Sequence, residues 1–270
     1  MNRVLCSTGA LLGRPNGRRF ELLKELCPLI NCDGFEFMMY DSWYDRTDKL
    51  LMELKSLGVP FPVMHFEKYI GEFVTKGEFD EAARRFELNC RIANEIGAFK
   101  AVLHLWNGII SDSNFDNSLK GYGILRNIAE THGIELLVEN VVCHEKDPLT
   151  RWTQLVDTYP DAGLIYDTKM AAFHEQDELF CGDGYKRLWQ NVRHLHVNDY
   201  GGGYMEWQAL KTLPIGMGHI DFDKFFGKLK SENYSGCLTA EATAFDQNGM
   251  VNTALLNDCF DKIRAYLDQS

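Results

Sequence analysis

The stretch ELLVE (Glu135–Glu139) is short, is apolar at its centre and ends on a carboxylate. Five further runs share this design, each closing on or near a histidine, an aspartate or a glutamate: PVMHF (62–66), AVLHL (101–105), GLIYD (Gly163–Asp167), HLHVND (194–199) and CLTAE (237–241). Apolar runs of this length suit fully buried strands, in which charged or ligating side chains are rare unless they are paired. We therefore expect the ends of these strands to converge on a single polar centre.

The spacing of the runs indicates how they converge. Two earlier runs, RVLCS (Arg3–Ser7) and GFEFMM (34–39), complete a set of eight predicted strands. Segments with helical periodicity lie between and after the strands, at 18–26, 49–57, 79–97, 118–133, 148–159, 178–190, 222–233 and 254–269. This alternation predicts an α/β fold, a parallel (β/α)8 TIM barrel that forms one domain over residues 1–270. A doubly wound open sheet is the alternative. It is disfavoured because residues 7–13 (STGALLG) lack the GxGxxG spacing of a phosphate loop.

The composition limits the class of protein. With 45% hydrophobic residues the chain is able to form a sizeable core, and it has no apolar run of about eighteen residues that would predict a membrane span. The amino terminus lacks a signal-peptide pattern and the eight cysteines show no CxxC pairing, so we expect reduced thiols in a cytoplasmic protein. A net charge of −11 argues against a nucleic-acid partner, since such partners need surfaces rich in Lys and Arg.

Four of the strand-end residues form a candidate metal site. Glu139, Asp167, His196 and Glu241 lie at the ends of predicted strands five to eight, where TIM barrels carry their active sites. Three carboxylates directed at one point repel one another, and a divalent cation removes that repulsion. This oxygen-rich set favours Mn²⁺, Mg²⁺ or Co²⁺ over the sulfur- and nitrogen-rich sites of structural zinc. The alternative is local: Glu139 and Glu241 would cap neighbouring loops, and Asp167 would cap the next helix.

Five motifs carry a resemblance to a known family: VEN (138–140), IYDTKMAAFH (165–174), HLHVND (194–199), LPIGMGHIDF (213–222) and YSGCLTAE (234–241). With them the chain resembles the sugar phosphate isomerase/epimerase group of xylose-isomerase-like TIM barrels, whose relatives include ketose 3-epimerases, inosose dehydratases and endonuclease IV. The resemblance implies that Glu139, Asp167, His196 and Glu241 hold one divalent metal ion, with Mn²⁺ favoured and Mg²⁺, Co²⁺ or Zn²⁺ as alternatives. It also implies a small-molecule sugar or polyol substrate and a homodimer or homotetramer.

In the ketose epimerases the two glutamates of this set also transfer protons on opposite faces of the substrate. Chemistry supports that role for Glu139 and Glu241, because a metal-chelated carbonyl acidifies the neighbouring C–H and stabilises the enediolate that follows. The predicted function is therefore a metal-dependent sugar isomerase or epimerase that abstracts a proton next to a carbonyl. Two alternatives stay open: a dehydratase that expels a β-hydroxyl from the same enediolate, and a sugar-binding barrel without activity.

Further residues are candidates for substrate binding. Glu145 lies at the spacing from Glu139 at which the epimerases place a substrate-binding carboxylate, and Trp106 is a candidate wall of a sugar pocket. His65 and His104 match positions that ligate additional zinc ions in endonuclease IV. A nuclease is nevertheless disfavoured, because the chain is acidic and other ligands of that trinuclear site are missing. We therefore expect both histidines to bind substrate hydroxyls.

Two positions depart from the epimerase pattern. Met170 stands where the epimerases usually have a histidine that contacts substrate oxygens, and we expect His174 to substitute for it in part. Lys211 is the cation nearest to the position of an arginine that grips the substrate, although a lysine does not reproduce a bidentate grip. Both departures concern the substrate rather than the metal.

Three further features stand near the predicted centre. Glu36, in the second strand, either binds substrate or supports a neighbouring histidine. His194, two residues before His196, is expected to pack between the barrel and its helices. The loop DYGGGYMEWQ (199–208) is either a mobile closure over the pocket or a simple flexible connection.

Overall fold

The computed structural model describes residues 2–268, and their eight parallel strands close into a barrel. Each strand pairs with the next one along the chain, and the last pairs with the first. The strands are β1 (Arg3–Ser7), β2 (Phe35–Met38), β3 (Val63–His65), β4 (Lys100–Leu103), β5 (Glu135–Glu139), β6 (Gly163–Asp167), β7 (Val192–His196) and β8 (Cys237–Ala240). The predicted parallel (β/α)8 barrel is therefore confirmed.

Helices connect the strands on the outside of the barrel. They are α1 (Thr8–Leu11), α2 (Leu23–Leu26), α3 (Thr47–Ser56), α4 (Tyr69–Lys76), α5 (Phe79–Ile96), α6 (Phe115–Thr131), α7 (Pro148–Thr158), α8 (Thr168–Phe173), α9 (Asp177–Cys181), α10 (Phe222–Ser231) and α11 (Thr253–Asp268). Among residues 2–268, no helix combines the length and the apolar character needed to span a bilayer.

Two of the predicted helices are shorter than expected. In the segment 18–26, residues Phe20–Leu22 form a 3-10 turn, so α2 begins only at Leu23 and ends at Leu26. In the segment 178–190, α9 ends before Gly182, whose backbone is extended. Apolar periodicity therefore predicted the position of these segments and overestimated the length of their helices.

Side-chain alternation along the strands divides the barrel residues into two sets. One set faces the helices and joins the main core, as Val4, Phe37 and Met64 do. The other set points into the barrel, where a small buried apolar layer consists of Leu5, Val63, Val102, Leu137 and Ile165. A residue two positions beyond this layer must also point inward. This relation brings His65, His104, Glu139 and Asp167 together at the carboxyl end of the barrel.

His194 belongs to the inward set as well. It pairs with Ile165 in the strand register, and its Nε2 lies 3.0 Å from Glu36 Oε2. The expectation that His194 packs between the barrel and the helices is wrong, because residues i and i+2 of a strand lie on the same face. His194 and His196 therefore point the same way, one layer apart.

Candidate metal centre

The structure brings Glu139, Asp167, His196 and Glu241 together at the carboxyl ends of β5 to β8. One ligand atom of each lies within 4.8 Å of those of the other three. His196 Nδ1 is 3.1 Å from Glu139 Oε1, 3.6 Å from Glu241 Oε2 and 3.9 Å from Asp167 Oδ2. The side chain of Glu241 is 11% exposed and the other three are buried, so the cluster opens to solvent on the Glu241 side. We call these four residues the quartet.

Local structure aims the carboxylate of Asp167 at the quartet. Oδ1 accepts a hydrogen bond from the backbone N–H of Met170 at 2.9 Å and so caps α8. Oδ2 accepts from Asn198 Nδ2 at 3.3 Å and faces His196. The interpretation that Asp167 caps the next helix is therefore correct for one oxygen, and the other oxygen remains directed at the quartet.

Two buried asparagines that the sequence analysis missed hold the strand ends in place. Asn140 donates to the backbone carbonyl of Asp167 at 3.1 Å and accepts from its N–H at 2.6 Å. Asn198 accepts from the backbone N–H of Glu241 at 2.8 Å and donates to the Asp167 carboxylate. Each follows a quartet residue by one or two positions in the motifs VEN and HLHVND. Their position next to predicted metal ligands is the feature of the sequence that could have identified both asparagines.

Glu36 supports the imidazole of His196 from below. Glu36 Oε2 lies 3.2 Å from His196 Nε2 and 3.0 Å from His194 Nε2, and it accepts a hydrogen bond from Thr239 Oγ1 at 3.0 Å. A carboxylate that accepts the Nε2 proton of His196 leaves Nδ1 directed at the other three quartet residues, as second-shell carboxylates of metal-bound histidines do. Of the two roles considered for Glu36, support of a neighbouring histidine matches this geometry.

Charges in the cluster shift the pKa values in the direction expected for converging carboxylates. Burial raises the pKa of Asp167 to about 6, and the charges of Glu139 and Glu241 contribute to the rise. Burial alone would lower the pKa of His196, but the surrounding glutamates, Glu36 first among them, raise it well above its ordinary value. The rise for His196, which occurs against the effect of burial, indicates an excess of negative charge, and such an excess favours bound positive charge.

His65 and His104 also reach this centre. Their Nε2 atoms are 3.2 Å apart, and His65 Nδ1 lies 2.9 Å from the backbone carbonyl oxygen of Phe66. His104 Nε2 is 2.7 Å from Glu139 Oε2. Burial lowers the pKa of His104 to about 4, so its imidazole is neutral near pH 7. The pair therefore stands beside the quartet rather than in the apolar core.

A cavity of about 150 Å³ opens above the quartet. It is lined by Ser7, Gly9, Met38, Lys68, His104, Glu139, Lys169, Met170, Thr212, Glu241 and Thr243. Three larger cavities, of about 540, 490 and 160 Å³, are lined by no quartet residue. The ligating side chains therefore point to the smaller cavity as the candidate site.

The structure does not bring Trp106 or His174 to this cavity, which corrects the expectation for both. Trp106 is fully buried, donates from Nε1 to the Val141 carbonyl at 3.2 Å and packs edge-on against Phe115. His174 Nε2 accepts the backbone N–H of Cys143 at 3.0 Å, and burial lowers its pKa to about 4. Both side chains hold the loop that follows β5 instead of contacting a ligand.

Glu145 and Lys211 are exposed, and neither lines the cavity. Asp112 Oδ1 accepts the backbone N–H of Glu145 at 2.9 Å, which ties the backbone inward and leaves the side chain in solvent. Next to Lys211, Thr212 takes the inward position and lines the cavity. The expectation that Glu145 and Lys211 bind substrate is corrected accordingly, because loop backbones rather than sequence spacing decide which side chains face inward.

Two lysines that were not predicted as site residues, Lys68 and Lys169, line the cavity. Lys169 is only 6% exposed, and its Nζ donates to Thr212 Oγ1 at 3.0 Å and lies 3.9 Å from Asp167 Oδ2. Burial lowers the pKa of Lys169, but the nearby carboxylates, Asp167 first, more than compensate and raise it. Lys68 is exposed and stands just before α4. The signal for Lys169 was its position two residues after a strand-end carboxylate.

The loop after β7 is held by specific contacts. The Asp199 carboxylate accepts hydrogen bonds from the backbone N–H groups of Gly216, Gly218 and Ile220 at 2.9 to 3.1 Å. Farther along, Trp207 stacks on His144 with ring centroids 4.3 Å apart. The motif LPIGMGHIDF thus folds around a carboxylate, which uses three of its backbone amide groups.

The fold defines this chain as a (β/α)8 barrel with a cluster of ligating side chains at its carboxyl end. A protein-family model described as xylose isomerase-like TIM barrel matches residues 25–256, and the chain belongs to that family. A search of curated proteins finds no match.

Three solved structures with similar folds are sugar epimerases. The 3-keto-D-glucoside 4-epimerase YcjR from E. coli, in its apo form, is 16% identical with a TM-score of 0.70, over 98% of this chain and 100% of that one. A D-allulose 3-epimerase from Methylomonas sp., in complex with D-allulose, is 15% identical with a TM-score of 0.73, and the match covers 98% of this chain and 97% of the epimerase. An L-ribulose 3-epimerase is 15% identical with a TM-score of 0.72, and the match covers 99% of this chain and 95% of the epimerase. Identities this low show a shared fold, and the activity must be argued from the site.

Proposed function

We propose that this protein is a divalent-metal-dependent sugar isomerase or epimerase that moves a proton next to a carbonyl through an enediolate. The convergence of Glu139, Asp167, His196 and Glu241 at one end of the barrel carries the proposal. The sugar epimerases with similar folds support it, since they place the same reaction class on this barrel. The orientation of both glutamates toward the cavity argues against a barrel that only binds sugar.

The donor set fits a hard divalent ion. Three carboxylates and one imidazole supply oxygen-rich ligands, which suit Mn²⁺ first and Mg²⁺, Co²⁺ or Zn²⁺ as alternatives. Glu241 Oε1 is buried, and the described part of the chain gives it no hydrogen bond. A buried carboxylate oxygen without a donor is costly, and a cation beside it removes that cost.

The two glutamates are the proposed acid and base. The chemistry that a bound divalent ion supplies is polarisation of a carbonyl, which acidifies the adjacent C–H. Glu139 ends β5 and Glu241 follows β8, three places away around the barrel, so the two carboxylates approach a substrate from different sides. Burial acts to raise the pKa of Glu139, but the charge of His196 and the hydrogen bonds of His104 and His196 hold it well below its usual range. Glu139 is therefore ionised and able to accept a proton, and Glu241 returns one.

The remaining parts of the proposal concern substrate and context. The hydroxyls of Ser7, Thr212 and Thr243 and the imidazole of His104 line the cavity and suit the hydroxyl groups of a small sugar or polyol. His65, in contact with His104, orients that imidazole. We also propose one domain, a cytoplasmic location, a homodimer or homotetramer and no nucleic-acid partner, the last because the net charge is −11.

Metal binding is the first test. We would measure metal content and Mn²⁺ affinity of the wild type, Glu241→Gln and His196→Ala, with Glu145→Gln as a control that changes an exposed carboxylate outside the quartet. We expect about one bound ion per chain in the wild type. The Mn²⁺ affinity should be lower in both quartet variants and unchanged in the control. Equal Mn²⁺ affinity in all four proteins, or none in the wild type, would refute the proposal.

Proton exchange is the second test. The Mn²⁺-loaded protein would be incubated in D₂O with a panel of ketoses and inososes, and deuterium incorporation and products would be followed by NMR. Deuterium on the carbon next to the carbonyl, with an isomeric product, supports the proposed reaction. Loss of water from the product would assign the dehydratase instead. Glu139→Gln and Glu241→Gln are each expected to abolish the exchange.

A further inference from the structure

Two lysines in the cavity have no part in the proposed proton transfer. Lys68 lies between β3 and α4, and Lys169 lies on α8, two residues after the end of β6. Because β3 and β6 are three places apart in a closed barrel of eight strands, the two side chains enter the cavity from well-separated sides. The cavity thus carries a cation on each of two walls.

The ammonium of Lys169 has hydrogen bonds left to give. It has three N–H donors, and Thr212 Oγ1, at 3.0 Å, is the hydrogen-bond acceptor that residues 2–268 supply to it. Asp167 Oδ2 attracts it electrostatically but, at 3.9 Å, is too far for a hydrogen bond. A buried cation with donors left over is costly unless a ligand completes its shell. Since Lys169 lines the cavity, that ligand would lie in it.

The charges around the cavity favour an anion. A divalent ion offsets two of the three negative charges of the quartet, and Lys169, beside Asp167, offsets the third. Glu36 lies one layer deeper, where two imidazoles and a hydroxyl share its charge. The ammonium of Lys68 then adds positive charge at the cavity wall that none of these carboxylates balances.

We infer that the substrate is an anionic sugar and that Lys169, with Lys68 on the opposite wall, binds its anionic oxygen group, either a carboxylate or a phosphate. The cavity hydroxyls of Ser7, Thr212 and Thr243 remain for the hydroxyl groups of the same molecule. This inference rests on the proposed function and narrows its substrate class.

The test compares three six-carbon probes that differ in charge: D-fructose, 5-keto-D-gluconate and D-fructose 6-phosphate. Isothermal titration of each into the Mn²⁺-loaded wild type should give tighter binding for one of the anionic probes than for the neutral ketose. Which of them binds more tightly distinguishes carboxylate from phosphate. Lys169→Met should lower the affinity for that anionic probe by about tenfold or more, which is the scale of one lost hydrogen bond to a charged group.

Two variants make the result specific. Lys169→Arg keeps the charge and should recover part of the anion binding, whereas Lys211→Met removes an exposed lysine outside the cavity and should change nothing. Mn²⁺ affinity, measured on the same samples, should be at least as high in Lys169→Met as in the wild type, which also shows that the variant is folded.

The outcomes separate this inference from the proposed function. If the wild type binds Mn²⁺ but binds neither anionic probe more tightly than D-fructose, the inference is wrong and the metal site stands. The inference is also wrong if Lys169→Met binds the anionic probe as well as the wild type does. If the wild type binds no Mn²⁺, the proposed function fails, and the inference fails with it.

Discussion

Substitution of Glu36 by glutamine is expected to weaken metal binding without removing a metal ligand. Glu36 Oε2 faces both His194 and His196 and accepts from Thr239, all inside the barrel. In Glu36→Gln the amide oxygen can replace Oε2, but the amide nitrogen then takes the place of Oε1. Oε1 lies 3.2 Å from His196 Nε2, so the substitution would set one donor against another. His196 Nε2 would keep an acceptor at the Oε2 position but face a donor at the Oε1 position, which weakens the contact that directs Nδ1 at the quartet.

The expected size of the effect follows from this geometry. Outer-shell partners of metal-bound histidines typically contribute about 10- to 100-fold in metal affinity. That range corresponds to about 1.4 to 2.7 kcal/mol of binding free energy. We expect the upper half of the range, because Glu36 is fully buried and water cannot replace the lost acceptor.

Mn²⁺ titration by calorimetry would measure this effect, and thermal unfolding without metal would check the fold. Glu135→Gln is the matched control, since Glu135 begins β5 at the opposite end of the barrel and pairs with Arg193. Mn²⁺ affinity of Glu36→Gln within about twofold of the wild type would refute the reasoning, since it is well below the tenfold minimum expected of an outer-shell partner. It would mean that packing alone orients His196.

Four further predictions concern stability. Asp112→Asn should lower the free energy of unfolding by about 3–5 kcal/mol in urea titrations, because it leaves the buried Arg151 without its partner. Burial acts to raise the pKa of Asp112, but the hydrogen bonds that its carboxylate accepts and the charge of Arg151 lower that pKa. The contribution of Asp112 to the free energy of unfolding should therefore be complete above pH ~4, the ordinary pKa of Asp, and be lost as the pH falls further. Trp106→Phe removes the hydrogen bond to the Val141 carbonyl, so it should lower the free energy of unfolding by about 1–3 kcal/mol and leave the Mn²⁺ affinity unchanged. Weaker binding of Mn²⁺ or sugar, with the stability of the wild type, would contradict a purely structural role for Trp106. Addition of Mn²⁺ at a hundred times its Kd to the chelator-treated wild type should stabilise it by about 2.7 kcal/mol, seen as a higher Tm, and an unchanged Tm would contradict specific binding to the folded state.

The strand ends were predictable because their signal is local. A buried strand shows side chains of alternate direction, so an apolar run such as ELLVE (Glu135–Glu139) identifies both the strand and the residue that ends it. The same alternation, applied consistently, would have placed His194 inside the barrel with His196. Resemblance to the epimerases added roles for Glu145 and Lys211 that depend on the path of loops, and the loops of this chain leave both side chains exposed and outside the cavity lining.

The sequence by itself determined the order of strands and helices and the chemistry at the strand ends. These properties depend on apolar periodicity and on residue type, which neighbours in the chain define. Only the tertiary structure decided which loop residues enter the cavity. Contacts distant in sequence, such as Asp112 with the backbone of 144–146 and Trp207 with His144, set the course of the loops. Those contacts turn Glu145 outward. The cap of α8 at Asp167 brings Lys169 close to the quartet, and the hydrogen bond of its ammonium to Thr212, distant in sequence, directs it into the cavity.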